Sequence, residues 1–286
     1  MDQASLLRHL SEMPWFPSAF LRERVTWEPI DDSTVRVTLA DGDLRATGTL
    51  EIDAVIDPAN AEFVRGVDLL LHEVWLSDEE AALIETIEVA VRAVRHAGVR
   101  LGDSVAIVGD GAVGLITLQV ARAAGATNVL LLGHRAARLE LGRRLGATAA
   151  IDTNDQGWRS AVADLTDGLG ADVAIECGGR ASAIDDSLAA TRKGGRVVLL
   201  AVLGTPVPVD TWAIVAGERT VTGSVQHHFD EDLPIAVDLL ASGTVDVRPL
   251  ITRRIALERV VEDGFAADAG SDIKVLVSTQ KTGETA

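Results

Sequence analysis

The sequence predicts an α/β protein, a doubly wound parallel sheet with a small β-rich appendage at its N-terminus. Three observations carry this expectation. From residue 103 onward, short continuous apolar runs alternate with segments of helical periodicity, which is how strands buried on both faces and separated by helices read. A glycine-rich turn follows the first of those runs directly. Residues 1–60 have another texture, with apolar and polar residues alternating on either side of Asp41-Gly42, as in a β-hairpin.

Taken in order, Leu6 to Leu10 can begin a short helix that stops before Pro14. Val35, Val37 and Leu39 form one arm of the hairpin, and Leu44, Ala46, Leu50 and Ile52 the other, less cleanly. A lone hairpin is marginal in water, so this segment must pack on something. Asp57-Pro58-Ala59-Asn60 reads as a breaker. Ser77 and Glu80 have capping-box spacing. Ala81, Ile84, Ile87, Val91 and Val94 then recur at helical spacing up to Gly98, which predicts a helix over 78–97. Strands are expected at 104–108, 128–132, 149–151, 171–175, 196–203 and 218–223, with helices over 112–124, 135–145 and around 235–240. A last strand is expected at 273–277. The resulting divisions are 1–60, 61–100, 101–228 and 229–286.

Composition removes several functions. The chain has 286 residues, 47% of them hydrophobic and 24% charged, which is globular composition. With 26 basic against 43 acidic residues the formal charge is −17. Such a surface repels phosphate backbones, so nucleic acid is not an expected partner. No apolar run reaches the ~18 uncharged residues of a membrane span. Asp2, Arg8, Glu12 and two prolines in the first twenty residues do not read as a signal peptide. No membrane association is expected, and the expected location is cytoplasmic. The single cysteine, Cys177, excludes an internal disulfide and a multi-cysteine zinc site. There is no tyrosine, which rules out the usual Tyr-x-x-x-Lys acid of short-chain dehydrogenases.

Gly109-Asp110-Gly111-Ala112-Val113-Gly114 lies between the expected strand 104–108 and helix 112–124. This is the context that gives G-x-G-x-x-G its meaning as the phosphate turn of a Rossmann unit. Gly109 allows the tight turn, Gly111 lets the backbone approach a pyrophosphate, and Gly114 lets helix and strand pack closely. The helix N-terminus offers free N–H groups to the phosphates. NAD sites usually place Asp or Glu at the end of the second strand, on the ribose 2′-hydroxyl. That strand ends Leu132-Gly133-His134-Arg135, with no carboxylate. Arg135, helped by His134, suits a 2′-phosphate, so NADP(H) is favoured over NAD(H). The competing reading leaves Arg135 solvated at a helix start.

From about His72 to Ser278 the chain resembles the medium-chain dehydrogenase/reductase family, closest to its zinc alcohol and polyol dehydrogenases. The runs that carry this are Asp78 to Glu85, Gly109 to Gly114, Arg138 to Ala147, Glu176-Cys177-Gly178-Gly179, Lys193 to Val198 and Leu250-Ile251-Thr252. The resemblance implies cofactor contacts at Gly133, His134 and Arg135, at Ala201, Val202 and Leu203 along the nicotinamide, and at Ser224 and Val225. Lys274 falls where the family often has an arginine near the pyrophosphate, although an edge-strand charge explains it as well. Cys177 is expected as a small buried hydrophobe or as a thiol on the nicotinamide side. Residues 1–55 resemble instead the start of an unrelated, uncharacterised bacterial family, through Met13-Pro14-Trp15-Phe16-Pro17 and Trp27 to Asp32.

The family also carries a chaperonin-10-like catalytic domain ahead of this region, with a cysteine ligand and a Gly-His-Glu ligand motif for zinc. None of these motifs occurs in the chain. Residues 61–100 then read as a linker and a helix remnant of that domain, and 229–286 as a return toward it. A fusion that replaced most of the catalytic domain is the simplest account. Glu85 sits where the family places the last zinc-side or substrate-side carboxylate, but one carboxylate cannot hold zinc alone. His72-Glu73 and His227-His228 do not replace the missing ligands, so zinc is not expected. The expected function is an NADP(H)-dependent alcohol or carbonyl oxidoreductase on a small-molecule substrate, working without the usual zinc. The alternative is a non-catalytic NADP(H)-binding module or a degenerate enzyme. A homo-oligomer is compatible with either.

Overall fold

Six of the expected apolar runs become the strands of one sheet. The computed structural model describes residues 25–29, 34–41, 44–51, 76–265 and 271–278. The short helix expected from Leu6 and the breaker at Asp57–Asn60 lie outside the described residues. The chain divides into two units, one ending at Asp78 and the other beginning at Glu79.

In the first unit, β1 (Val25–Pro29), β2 (Thr34–Asp41) and β3 (Leu44–Glu51) form an antiparallel sheet in that order. The expected hairpin is β2–β3, with Asp41 paired opposite Leu44. Its partner strand β1 was not foreseen.

Next in the chain come α1 (Asp78–Ala81) and α2 (Ile84–Ala97). The single helix expected over 78–97 is therefore broken. Leu83 has φ −106° and ψ 0°, and its N–H bonds to Glu80 O at 3.0 Å. This tightened turn swings Leu83 wholly into the core, an offset to which 3.6-residue periodicity is blind. Gly98, at φ 57°, ends α2 as expected by turning its N–H back to Arg95 O.

Then follow β4 (Ser104–Val108), α3 (Ala112–Ala123), β5 (Asn128–Gly133), α4 (Ala136–Arg144) and β6 (Ala149–Asp152). After them come α5 (Trp158–Asp164), β7 (Ala171–Glu176), α6 (Ala181–Ala190), β8 (Thr191–Leu199), α7 (Thr211–Ala216) and β9 (Thr220–Gly223). The sheet order is β6-β5-β4-β7-β8-β9, and all its pairs are parallel. This is the Rossmann order, with a topological switch between β4 and β7. Ala106, Leu130, Leu132, Ala174 and Val197 pack with Trp158, Val162, Ile184 and Leu188 from α5 and α6. Leu131 and Leu115 close on Gly142 of α4, where a Cβ would meet Leu131 Cδ2 at 2.2 Å.

Among the strands, the boundaries of β8 depart furthest from expectation. Strand β8 starts five residues earlier than expected and ends at Leu199, so Ala201, Val202 and Leu203 lie in a loop. Their chain leaves the ladder because Glu176 captures it: Leu200 N–H bonds to Glu176 O at 3.1 Å and Ala201 N–H to Glu176 Oε2 at 3.2 Å. The last expected strand exists as β11 (Lys274–Ser278). It pairs in parallel with β10 (Ile251–Ala256), an unforeseen strand, in a separate two-stranded sheet. Between β9 and β10 lies α8 (Phe229–Ala241), which packs with α2. No helix among the described residues is long and apolar enough to cross a membrane.

Candidate cofactor site

The carboxyl ends of β4 and β7 flank the crevice where open α/β sheets of this kind bind ligands. The phosphate turn lies at that crevice, and its three glycines differ in purpose. Gly109 has φ 132°, and a Cβ there would come within 2.7 Å of Cys177 C. At Gly114 a Cβ would stand 1.9 Å from Gly109 O. These two glycines are demanded by the fold. At Gly111, which begins α3, a Cβ would meet nothing within 4 Å. That open space lets a diphosphate approach the backbone and the N–H groups of Ala112, Val113 and Gly114. The turn therefore fits a dinucleotide.

The end of β5 holds a carboxylate that its own sequence lacks. Asp110, from the phosphate turn, is buried at 2% exposure. Its Oδ2 accepts from the backbone N–H groups of His134 at 2.9 Å and Arg135 at 2.8 Å, and its Oδ1 pairs with Arg135 Nη1 at 3.0 Å. Burial by itself would raise the Asp110 pKa, but the backbone N–H donors of Arg135 and His134 and the charge of Arg135 hold it below the usual carboxylate range. Gly133 serves this arrangement, since a Cβ there would be 2.5 Å from Asp110 Cβ. The Arg135 guanidinium remains 43% exposed. Arg180, from the β7–α6 loop, adds a second cation: its Nη1 lies 3.3 Å from His134 Nδ1 and its Nη2 bonds to Thr153 Oγ1 at 3.1 Å.

A second buried carboxylate organises the other side of the switch point. Glu176 Oε1 accepts from Gly178 N–H at 2.7 Å and Gly179 N–H at 2.9 Å, and its Oε2 takes Ala201 N–H. It thereby fixes the loop carrying Ala201, Val202 and Leu203. Ser224 N–H bonds to Leu199 O at 2.9 Å, while the Val225 side chain is exposed. Lys274 Nζ bonds to Thr86 Oγ1 on α2 at 3.2 Å. Cys177 Sγ sits 3.9 Å from Thr117 Oγ1, and burial pushes its thiol up to about 12, so it behaves as a small hydrophobe.

Comparison with known proteins agrees with this geometry. The family described as zinc-binding dehydrogenase matches residues 112–242. Sorbitol dehydrogenase of Rattus norvegicus is 33% identical over 201 residues, which are 70% of this chain and 56% of that protein. The structure of 2R,3R-butanediol dehydrogenase from Bacillus subtilis matches with a TM-score of 0.66 at 29% identity, covering 72% of this chain and 59% of that one. A Sinorhizobium meliloti protein described as a zinc-binding dehydrogenase, solved bound to NADP, gives a TM-score of 0.63 at 33% identity over 69% of this chain and 58% of its own. By these matches, the greater part of the chain belongs to the medium-chain dehydrogenase/reductase family. It spans little more than half the length of the curated relatives it matches. A second family, of unknown function (DUF6544), matches residues 1–68.

Within this medium-chain dehydrogenase/reductase fold, Glu85 lies in the first turn of α2. One turn on, Glu88 is completely buried, 3.3 Å from His227 Nε2. Burial, then the charges of Glu85 and Asp232, push Glu88 up to about 8. Burial lowers the pKa of His227, although Glu85 and Asp232 oppose this. Asp232 is buried as well and accepts from Arg95 Nη1 at 2.5 Å and from His228 N–H at 2.7 Å. No group of three or more His, Cys, Asp or Glu residues is arranged to hold a metal among the described residues. His72-Glu73 lies outside them.

Sequence reasoning passed over Asp110, Glu176, Arg180 and Glu88. Asp110 occupied a variable place in the glycine motif, and Glu176 was noted only as part of a family run. The available signal was a charged residue inside or beside an apolar strand end, which is costly unless bonded.

Proposed function

We propose that this chain is an NADP(H)-dependent oxidoreductase of the medium-chain alcohol and polyol type, acting on an alcohol or carbonyl compound. The observation that carries the cofactor choice is the state of Asp110. The carboxylate beside the ribose end of the site is committed to two backbone N–H groups and to Arg135. Its oxygens are already engaged by these donors, while Arg135 stays half exposed beside it. The relative bound to NADP supports the same reading.

When bound, the dinucleotide supplies or accepts a hydride at the nicotinamide C4. The chain's own work is to hold it. The N–H groups at the start of α3 take the diphosphate, and Arg135 and His134 take the 2′-phosphate. The Glu176-held loop at Ala201, Val202 and Leu203, with Ser224 and Val225, receives the nicotinamide. A catalytic zinc site takes about three protein ligands. The donors around Glu85 do not make such a set among the described residues, so the proposed activity does not route through a metal at Glu85.

A second reading is cofactor binding without turnover. It is favoured by Glu88 and His227, the titratable neighbours of Glu85, being buried against each other rather than directed to a substrate. Fluorescence titration with NADPH and NADH, followed by a panel of alcohols, carbonyls and enones, tests both readings. Equal affinity for the two cofactors would sink the NADP(H) assignment. Tight NADPH binding with no turnover across the panel would leave the binding module.

A further inference from the structure

Arg135 brings little net charge to a 2′-phosphate by itself. A phosphomonoester carries about −1.5 to −2 near neutrality, and the Arg135 guanidinium is already paired with the Asp110 carboxylate. The whole chain also carries a formal −17. A further cation is needed at the end of β5 to hold such an anion against that field. Arg180 is there.

The backbone around His134 is clamped from two sides. On one side stands Asp110, through the N–H groups of His134 and Arg135. On the other stands Thr153, at the end of β6, whose Oγ1 donates to Gly133 O at 3.1 Å and accepts from Arg180 Nη2. Asp186 Oδ2, at 3.4 Å from Nη2, steadies the same edge of Arg180 and is shared with Arg159 at 3.8 Å. The planar guanidinium is thus set with Nη1 at His134 Nδ1. Arginine has no acceptor, so in this contact Nδ1 accepts and the ring proton lies on Nε2. That tautomer presents a donor. Arg180 keeps 36% of its side chain exposed, so it is reachable by a ligand.

We propose that Arg180 is a cofactor-specificity residue, the second cation of a phosphomonoester subsite that Arg135, His134 and Arg180 form for the 2′-phosphate of NADP(H). The inference rests on the NADP(H) reading above and extends it to a residue from the far side of the switch point. Two fixed cations bracket the anion, and His134 lies between them in the chain of contacts.

The test uses the full chain with Arg180→Met, which keeps the aliphatic stem, and Arg180→Lys, which keeps the charge. NADPH, NADH, 2′,5′-ADP and 5′-AMP are titrated against each. Arg180→Met is expected to weaken NADPH and 2′,5′-ADP roughly 10- to 100-fold, as loss of a charged hydrogen bond does, with NADH and 5′-AMP unchanged. Arg180→Lys should recover part of that loss. A wild-type protein without preference for NADPH would overturn the NADP(H) reading and this inference together. A preference that survives Arg180→Met overturns the inference alone. So does an equal loss of NADPH and NADH, which would mark Arg180 as structural.

Discussion

Asp110 and Arg135 are 25 residues apart, yet the carboxylate of the first holds both the backbone N–H and the guanidinium of the second, at 2.8 and 3.0 Å. The glycine turn after β4 and the C-terminal end of β5 are thereby one structure. Removing the carboxylate leaves two part-buried backbone donors without their acceptor. Asp110→Ala should lower stability by about 1–3 kcal/mol, read as a fall in Tm. The sign of its pH dependence follows from its lowered pKa. Its stabilisation is fully present above the unfolded-state pKa near 3.8 and is lost as pH falls through the lower folded value. The variant's stability should therefore decline less steeply in acid than the wild type's.

Arg135 makes its case through selectivity. Arg135→Ala is expected to reduce NADPH affinity about 10- to 100-fold while NADH affinity changes little. Parallel fluorescence titrations measure this. No change for NADPH would show Arg135 to be only the partner of Asp110.

The glycines of the turn separate folding from binding. Gly114→Ala puts a Cβ 1.9 Å from Gly109 O, so this variant should unfold at markedly lower temperature or fail to accumulate. Gly111→Ala adds a methyl to open space, at φ −81°, which alanine accepts. Its Tm should stay near the wild-type value while dinucleotide binding is strongly weakened. Retained NADPH affinity in Gly111→Ala would mean that no phosphate approaches this backbone.

Glu88 should mark the pH dependence of stability. Its folded pKa of about 8 lies above the ordinary value of 4.5 for a glutamate. The folded state thus holds a proton that the unfolded chain releases. That contribution is complete below about 4.5 and is lost progressively as pH rises to about 8. Glu88→Gln, which is neutral throughout, should flatten the decline over that window. Urea unfolding at several pH values reads it directly, and an unaltered slope would rule Glu88 out as its source.

The parallel sheet, the glycine turn and the family resemblance were legible in the sequence. Continuous apolar runs, helical spacing and G-x-G-x-x-G are local patterns, and burial of both strand faces reads directly as apolar composition. The same patterns set β8 too late and too long, because Ala201 bonds a Glu176 side chain rather than a neighbouring strand. They also ran α1 and α2 together across Leu83. Of the candidate site, Gly109 to Gly114 and Gly133 to Arg135 were legible as chain segments, but not their connection. That connection comes from how the strands pair and cross over. The parallel register sets Val108 beside Leu132, so Asp110 and His134, each two residues further on, arrive side by side. The β7 crossover then brings Arg180 to the same place. A side chain's reach across strands depends on register and crossover, which link residues far apart in the chain and leave no periodic trace within it.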